Sequence, residues 1–148
     1  MKKIFLVLSL IMTVTVTSAL ANSIEGKNPQ AEKLFNKQFA GAENVKWSTT
    51  QEGVLKVTFT WAGTRAEAYF DQNSELIATE RNIFYGQVPL NVMRAINTKY
   101  KNAIVLAVSE ISTNGGNRYV ISLEHNTKKY KTTVSGLGDI MDVEKIKK

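Results

Sequence analysis

Residues 54–83, VLKVTFTWAGTRAEAYFDQNSELIATERNI, decide the fold. Leu55, Val57, Phe59 and Trp61 alternate with Lys56, Thr58 and Thr60, the pattern of a strand with one apolar and one wet face. Ala62-Gly63 supplies a two-residue turn. Ala66, Ala68 and Phe70 then alternate with Arg65, Glu67 and Tyr69. Residues 71–74, Asp-Gln-Asn-Ser, form a second turn, because Asp, Asn and Ser side chains bond their own backbone readily. Residues 75–83 return as a further strand. The stretch therefore predicts three antiparallel strands joined by tight turns.

Upstream, Asn28-Pro29 opens a helix: Asn caps it and Pro suits its first position. Ala31, Leu34, Phe35 and Phe39 follow at helical spacing, with Gln38 breaking the stripe and Gly41 ending the helix. Residues 45–49 read as a short strand, and Gln51-Glu52-Gly53 as a turn. Downstream, residues 84–89 connect to a second helix at about 90–100, with Val92, Met93, Ile96 and Tyr100 on one side. Its entry has two readings, Pro89 as first helical residue or Asn91 as cap. Further strands are expected at 103–111, around 119–124, at 130–135 and after a turn at 136–139, with Asn114-Gly115-Gly116-Asn117 as a hairpin loop.

Leu34, Phe35 and Phe39 stand 61 residues before Ala95, Ile96 and Tyr100, and Ala42 stands 61 before Ala103. This spacing predicts an α+β fold made as a tandem repeat of a helix plus four antiparallel strands. The repeats span about 28–83 and 89–146, and the helices are expected on one face of one antiparallel sheet.

The first residues read as a secretory leader. Lys2 and Lys3 precede an apolar run over 4–16, and Ala19-Leu20-Ala21 is a small-x-small cleavage signature. A signal peptide over 1–21, cut after Ala21, leaves a domain at 22–148 in the periplasm or outside the cell. The alternative, an uncleaved anchor, fits less well. Thr13, Thr15, Thr17 and Ser18 interrupt the run, and a spanning helix needs about 20 mostly apolar residues. The chain has no cysteine, which excludes disulfides, a lipid-modified cysteine, thiol catalysis and thiolate metal sites. No stable membrane anchor is expected.

The formal net charge of +6 falls to +4 without Lys2 and Lys3. Lys128, Lys129 and Lys131 form one basic group, and Lys145, Lys147 and Lys148 another. Lysines at strand edges discourage edge-to-edge pairing. No aromatic pattern interleaves with them as on a nucleic-acid platform, so no nucleic-acid partner is expected.

Three segments carry a family resemblance: AYFDQNSELIATER at 68–81, FAGAENVKWS at 39–48, and VPLNVMRAI at 88–96 followed by Tyr100. Together they resemble the PepSY-like, beta-lactamase-inhibitory-protein-like (BLIP-like) family of small exported bacterial domains. The resemblance covers essentially all of 22–148. It implies a single antiparallel sheet with helices on one face and the other face open. The inhibitor that names the group clasps an enzyme with that open face. No contact motif matches, so no residue role carries over, and likeness of fold is weak evidence for shared function.

Tests for chemistry return little. His125 is the one histidine; a triad needs a nucleophile and an orienting acid around it, no G-x-S-x-G elbow is present, and one imidazole is too few for a typical catalytic zinc. Asp71, Asn73 and Glu75 have the i, i+2, i+4 spacing of a calcium loop, but its sixth and twelfth positions hold Leu76 and Asn82. Gly136-Leu137-Gly138 lacks the setting of a phosphate loop. Glu67 and Glu80 on neighbouring strands read as a charge ladder with Arg65 and Arg81 rather than an acid/base pair. No cofactor or metal is expected, and the chain does not read as an enzyme.

The expectation is an exported binding module of the envelope or extracellular space. Arg65, Glu67, Tyr69, Arg81 and Trp61 are its candidate contacts to a protein or peptide, since aromatics and arginine dominate binding hot spots. An envelope carrier of a small ligand or metal is the alternative.

Overall fold

The computed structural model describes residues 28–146, so the leader assigned to 1–21 lies outside the described residues. The chain begins with helix α1 (Pro29–Gln38), followed by strands β1 (Glu43–Thr49), β2 (Leu55–Trp61), β3 (Thr64–Phe70) and β4 (Leu76–Ile83). A single 3-10 turn (Tyr85–Gln87) leads to helix α2 (Leu90–Lys99). Strands β5 (Ile104–Thr113), β6 (Gly116–His125), β7 (Lys128–Ser135) and β8 (Ile140–Ile146) complete it.

All eight strands form one antiparallel sheet in the order β1 to β8, each paired with its neighbour in sequence. This corrects the expected tandem repeat of helix plus four strands. The described residues are mostly sheet, with two ten-residue helices among them, and no boundary divides the strands. The decisive ladder is β4 with β5, which runs unbroken from Ala78↔Thr113 to Ile83↔Val108. The strands on either side of this seam also differ: β5 and β6 have ten residues each, β1 and β2 seven. Matched apolar positions on two amphipathic helices produced the spacing. They record which helix face is buried and do not divide the sheet.

Local chemistry explains the helices. The Asn28 side chain accepts a hydrogen bond from the Gln30 amide at 2.9 Å, satisfying one orphan donor of the first turn. Glu32 near the start and Lys37 near the end suit the helix dipole. At α2 neither expected entry holds. Pro89 occupies the cap position without a side-chain bond, while the Asn91 amide donates to the Gly136 carbonyl at 2.8 Å. A Cβ at Gly138, whose φ is +98°, would lie 2.9 Å from the Asn91 carbonyl oxygen. The glycine turn between β7 and β8 thus lies directly against the first turn of α2.

Both helices pack on the same face. Ala31 and Phe35 of α1 are buried on Val57, Phe59, Ala68 and Phe70. The Phe35 and Phe59 rings meet edge to face with centroids 4.9 Å apart, and the small Ala68 leaves room for the helix. Val92 and Ile96 of α2 are buried on Val108, Tyr119, Ile121, Leu123 and Val134. Registered pairs share a face. The row Phe59↔Ala66↔Arg81↔Glu110↔Tyr119↔Val134 therefore places both clusters on one side of the sheet.

Candidate functional site

Among the described residues, the opposite face carries no helix. Its registered rows are Lys56↔Tyr69↔Ala78↔Thr113 and Thr58↔Glu67↔Glu80↔Ile111↔Arg118. Tyr69, Glu67, Glu80 and Ile111 are only half-exposed there, because the sheet and the β1–β2 turn enclose hollows. The larger, about 610 Å³, is bounded by the β1–β2 turn and by Tyr69, Ile77, Glu80 and Ile111. A smaller one of about 240 Å³ is lined by Arg65, Glu67, Glu80, Arg81 and Asn82. A bulge between Tyr69 and Phe70 shifts the partner from Ala78 to Leu76 and makes Ile77 the extra residue. Bulges re-aim side chains, and Ile77 stands 39% exposed beside Tyr69.

The polar centre of this face is tightly bonded. The Tyr69 hydroxyl lies 2.7 Å from Glu67 Oε2 and 3.3 Å from Glu80 Oε2. Lys56 Nζ lies 2.6 Å from Glu67 Oε2, and Arg65 Nη2 lies 3.9 Å from Glu67 Oε1. Burial opposes ionisation of Glu67, but the hydrogen bonds from Lys56 and Tyr69 and the nearby positive charges outweigh it and hold the carboxyl below its ordinary value. Burial, the hydrogen bond to Glu67 and the charges of Glu67 and Glu80 push the Tyr69 phenol well above its ordinary range. Tyr69 is thus a fixed neutral donor, and the ring is held over the hollow by its own hydroxyl.

The structure brings Arg65, Glu67 and Tyr69 together on the open face, as their alternation indicates. It pairs the other two candidates into rows of the helix side, although Arg81 also borders the smaller hollow. Arg81 pairs across the ladder with Glu110, and its Nε and Nη2 each lie 2.7 Å from Glu110 Oε2. Glu110 Oε1 also accepts from the Tyr119 hydroxyl at 3.1 Å and the Asn117 amide at 3.3 Å. Trp61 is 44% exposed, yet it packs edge to face on Phe39 at 5.6 Å and its indole N–H donates to the Ala40 carbonyl at 3.1 Å. It serves the C-terminal end of α1. Sequence reading put Lys56 on the wet face without choosing it as a contact, and it missed Ile77 and Ile111 as parts of the open face. Lys56 was legible from the alternation of β2, but the bulge at Ile77 has no periodic signal.

The turn at Asp71 is a turn. Its carboxylate accepts from the Asn73 and Glu75 amides at 2.9 and 2.8 Å. His125 packs on the Tyr100 ring with centroids 5.8 Å apart. No group of three metal-ligating side chains occurs among the described residues. No helix among them is long and apolar enough to cross a membrane.

No protein-family model matches the chain, and a search of curated proteins finds no match. Solved structures do match. A DUF2874 family protein from Bacteroides uniformis superposes with a TM-score of 0.72 at 17% identity, covering 80% of this chain and 89% of the other. A DUF2874 family protein from Bacteroides ovatus gives 0.70 at 19% identity, covering 81% and 89%. A BLIP-like protein from Bacteroides fragilis gives 0.68 at 20% identity, covering 80% and 86%. At these identities the likeness establishes architecture alone: the chain has the BLIP-like fold, and the PepSY side of the sequence resemblance has no counterpart in these comparisons.

Proposed function

We propose that the chain is an exported, non-catalytic binding module that takes up a protein or peptide of the envelope or extracellular space on its helix-free sheet face. Inhibition of an enzyme is one form such binding would take. The observation that carries the reading is the sidedness of the sheet. Both helices cover one face, while the other presents hollows, an exposed Ile77 and a pre-formed Lys56–Glu67–Tyr69 network. A site held on strands keeps its geometry without a partner, which lowers the ordering cost of association. The BLIP-like description of one structural neighbour supports protein binding, and the leader at 1–21 supports export.

The test is affinity capture from native envelope and culture-fluid extracts with the wild-type chain and with Ile77→Asp, Tyr69→Ala and Trp61→Ala. Loss of the same captured protein in Ile77→Asp and Tyr69→Ala, with retention in Trp61→Ala and native melting of Ile77→Asp, is the expected result. Equal capture by wild type and both open-face variants would refute the reading.

A further inference from the structure

Glu67 and Glu80 stand directly opposite each other on β3 and β4, an arrangement that repels when both are charged. The compensation is lopsided. Lys56 lies at 2.6 Å and Arg65 at 3.9 Å, both on Glu67. The single proton of the Tyr69 hydroxyl is drawn to Glu67 at 2.7 Å, leaving Glu80 the longer 3.3 Å contact. No cation among the described residues lies within ion-pair distance of Glu80. Yet Glu80 lines both the larger and the smaller hollow. The larger one has an apolar lining from Val54, Ile77 and Ile111, with a second carboxylate, Glu52, on its turn.

Resting on the reading of this face as the binding surface, we infer that the partner inserts a basic side chain, its apolar stem on Ile77 and Ile111 and its cationic head at Glu80. Lysine and arginine combine these two characters, burying the methylene stem on apolar surface while the head stays with polar groups. Lys56 and Arg65 already offset Glu67, and among the described residues Glu80 is the carboxylate of the pair left without an ion partner for an arriving cation. Charge complementarity of this kind selects the partner and speeds encounter. A bound metal ion would need more oxygen ligands than converge here.

Capped, fluorescently labelled heptapeptides with randomised neutral flanks and a fixed centre test the inference against the full chain by polarisation. The centres are arginine, lysine, citrulline, norleucine and glutamate. The arginine and lysine pools bind, and citrulline, which keeps the shape without the charge, binds about tenfold more weakly. Glu80→Gln brings the arginine pool down to the citrulline level without a change in melting temperature, and Glu80→Lys moves the preference to glutamate. Equal binding of arginine and citrulline, or an unchanged preference in Glu80→Gln, overturns the inference; if Ile77→Asp still abolishes that binding, the face survives as the binding surface. Binding by no pool, or binding indifferent to Ile77→Asp, removes both. A calcium or zinc melting shift lost in Glu80→Gln overturns it in favour of a metal.

Discussion

Tyr69 shows how much one residue's partners determine on this sheet. Burial first, and then the contact with Glu67, raises its phenol, and the same contact adds to that of Lys56 in outweighing burial to lower the Glu67 carboxyl, so the pair contributes at both ends of the pH scale. A carboxylate depressed in the fold stabilises above its unfolded value, near 4.5, and that part is lost as pH falls through the folded value. A phenol raised in the fold stabilises in full below its unfolded value, near 10.0, and that part is lost as pH rises through the folded one. Tyr69→Phe is expected to cost about 1 kcal/mol at neutral pH. It should flatten the fall of the urea midpoint above about pH 10 and move the acid midpoint upward. The alkaline fall will not vanish, because burial also raises Tyr85 and Tyr119. Identical urea-midpoint profiles for variant and wild type would show that the contact carries no stability. At this scale the sequence was half legible. Period-2 alternation placed Arg65, Glu67 and Tyr69 on one face. The same rule, carried along β2 and through the β3–β4 register, puts Trp61 and Arg81 on the other, and register across a bulge is set by pairing that a single strand does not reveal.

The two-residue turn at Ala62-Gly63 was legible in the sequence, whereas that at Asn126-Thr127 was not read and neither turn's strain was. Ala62-Gly63 has φ of +48° and +76°, and Asn126-Thr127 has +49° and +61°. Paired positive φ values match the twist of a two-residue hairpin, and Asn, Gly and Asp are the residues that adopt them readily. Thr127 is β-branched and pays for this left-handed conformation; its hydroxyl turns back onto the Asn126 carbonyl at 2.6 Å. Thr127→Gly is therefore expected to stabilise by about 1 kcal/mol, read as a rise in melting temperature of roughly 3 °C. An unchanged or lower melting temperature would mean that the hydroxyl contact outweighs the backbone strain. The helices were legible from their apolar spacing and from Asn28. The entry to α2 was not, because what fixes it is the distant β7–β8 turn: Asn91 bonds Gly136 and crowds Gly138.

Across the whole molecule, alternation and amphipathic stripes indicated antiparallel strands and half-buried helices, while the single sheet with both helices on one side was what the family resemblance implied. The sheet is continuous from β1 to β8, and the tandem repeat of helix plus four strands was the misreading, since apolar spacing reports burial and is silent on how a sheet divides. That continuity has a kinetic consequence. Every strand lies beside its neighbour in the chain, so no pairing waits for a remote segment, and the widest gap between paired strands is the α2 connection from Ile83 to Ile104. Low contact order of this sort shortens the conformational search relative to Greek-key sandwiches of similar size. Refolding by stopped-flow fluorescence of Trp47 and Trp61 is expected as one exponential faster than about 1 s. A far-UV circular dichroism phase slower than the tryptophan phase would show that the α2 side and the seam form after the α1 side. A chain that emerges from a membrane pore N-terminus first would meet its pairing partners in the order of emergence, each new strand adding to the edge left by the last.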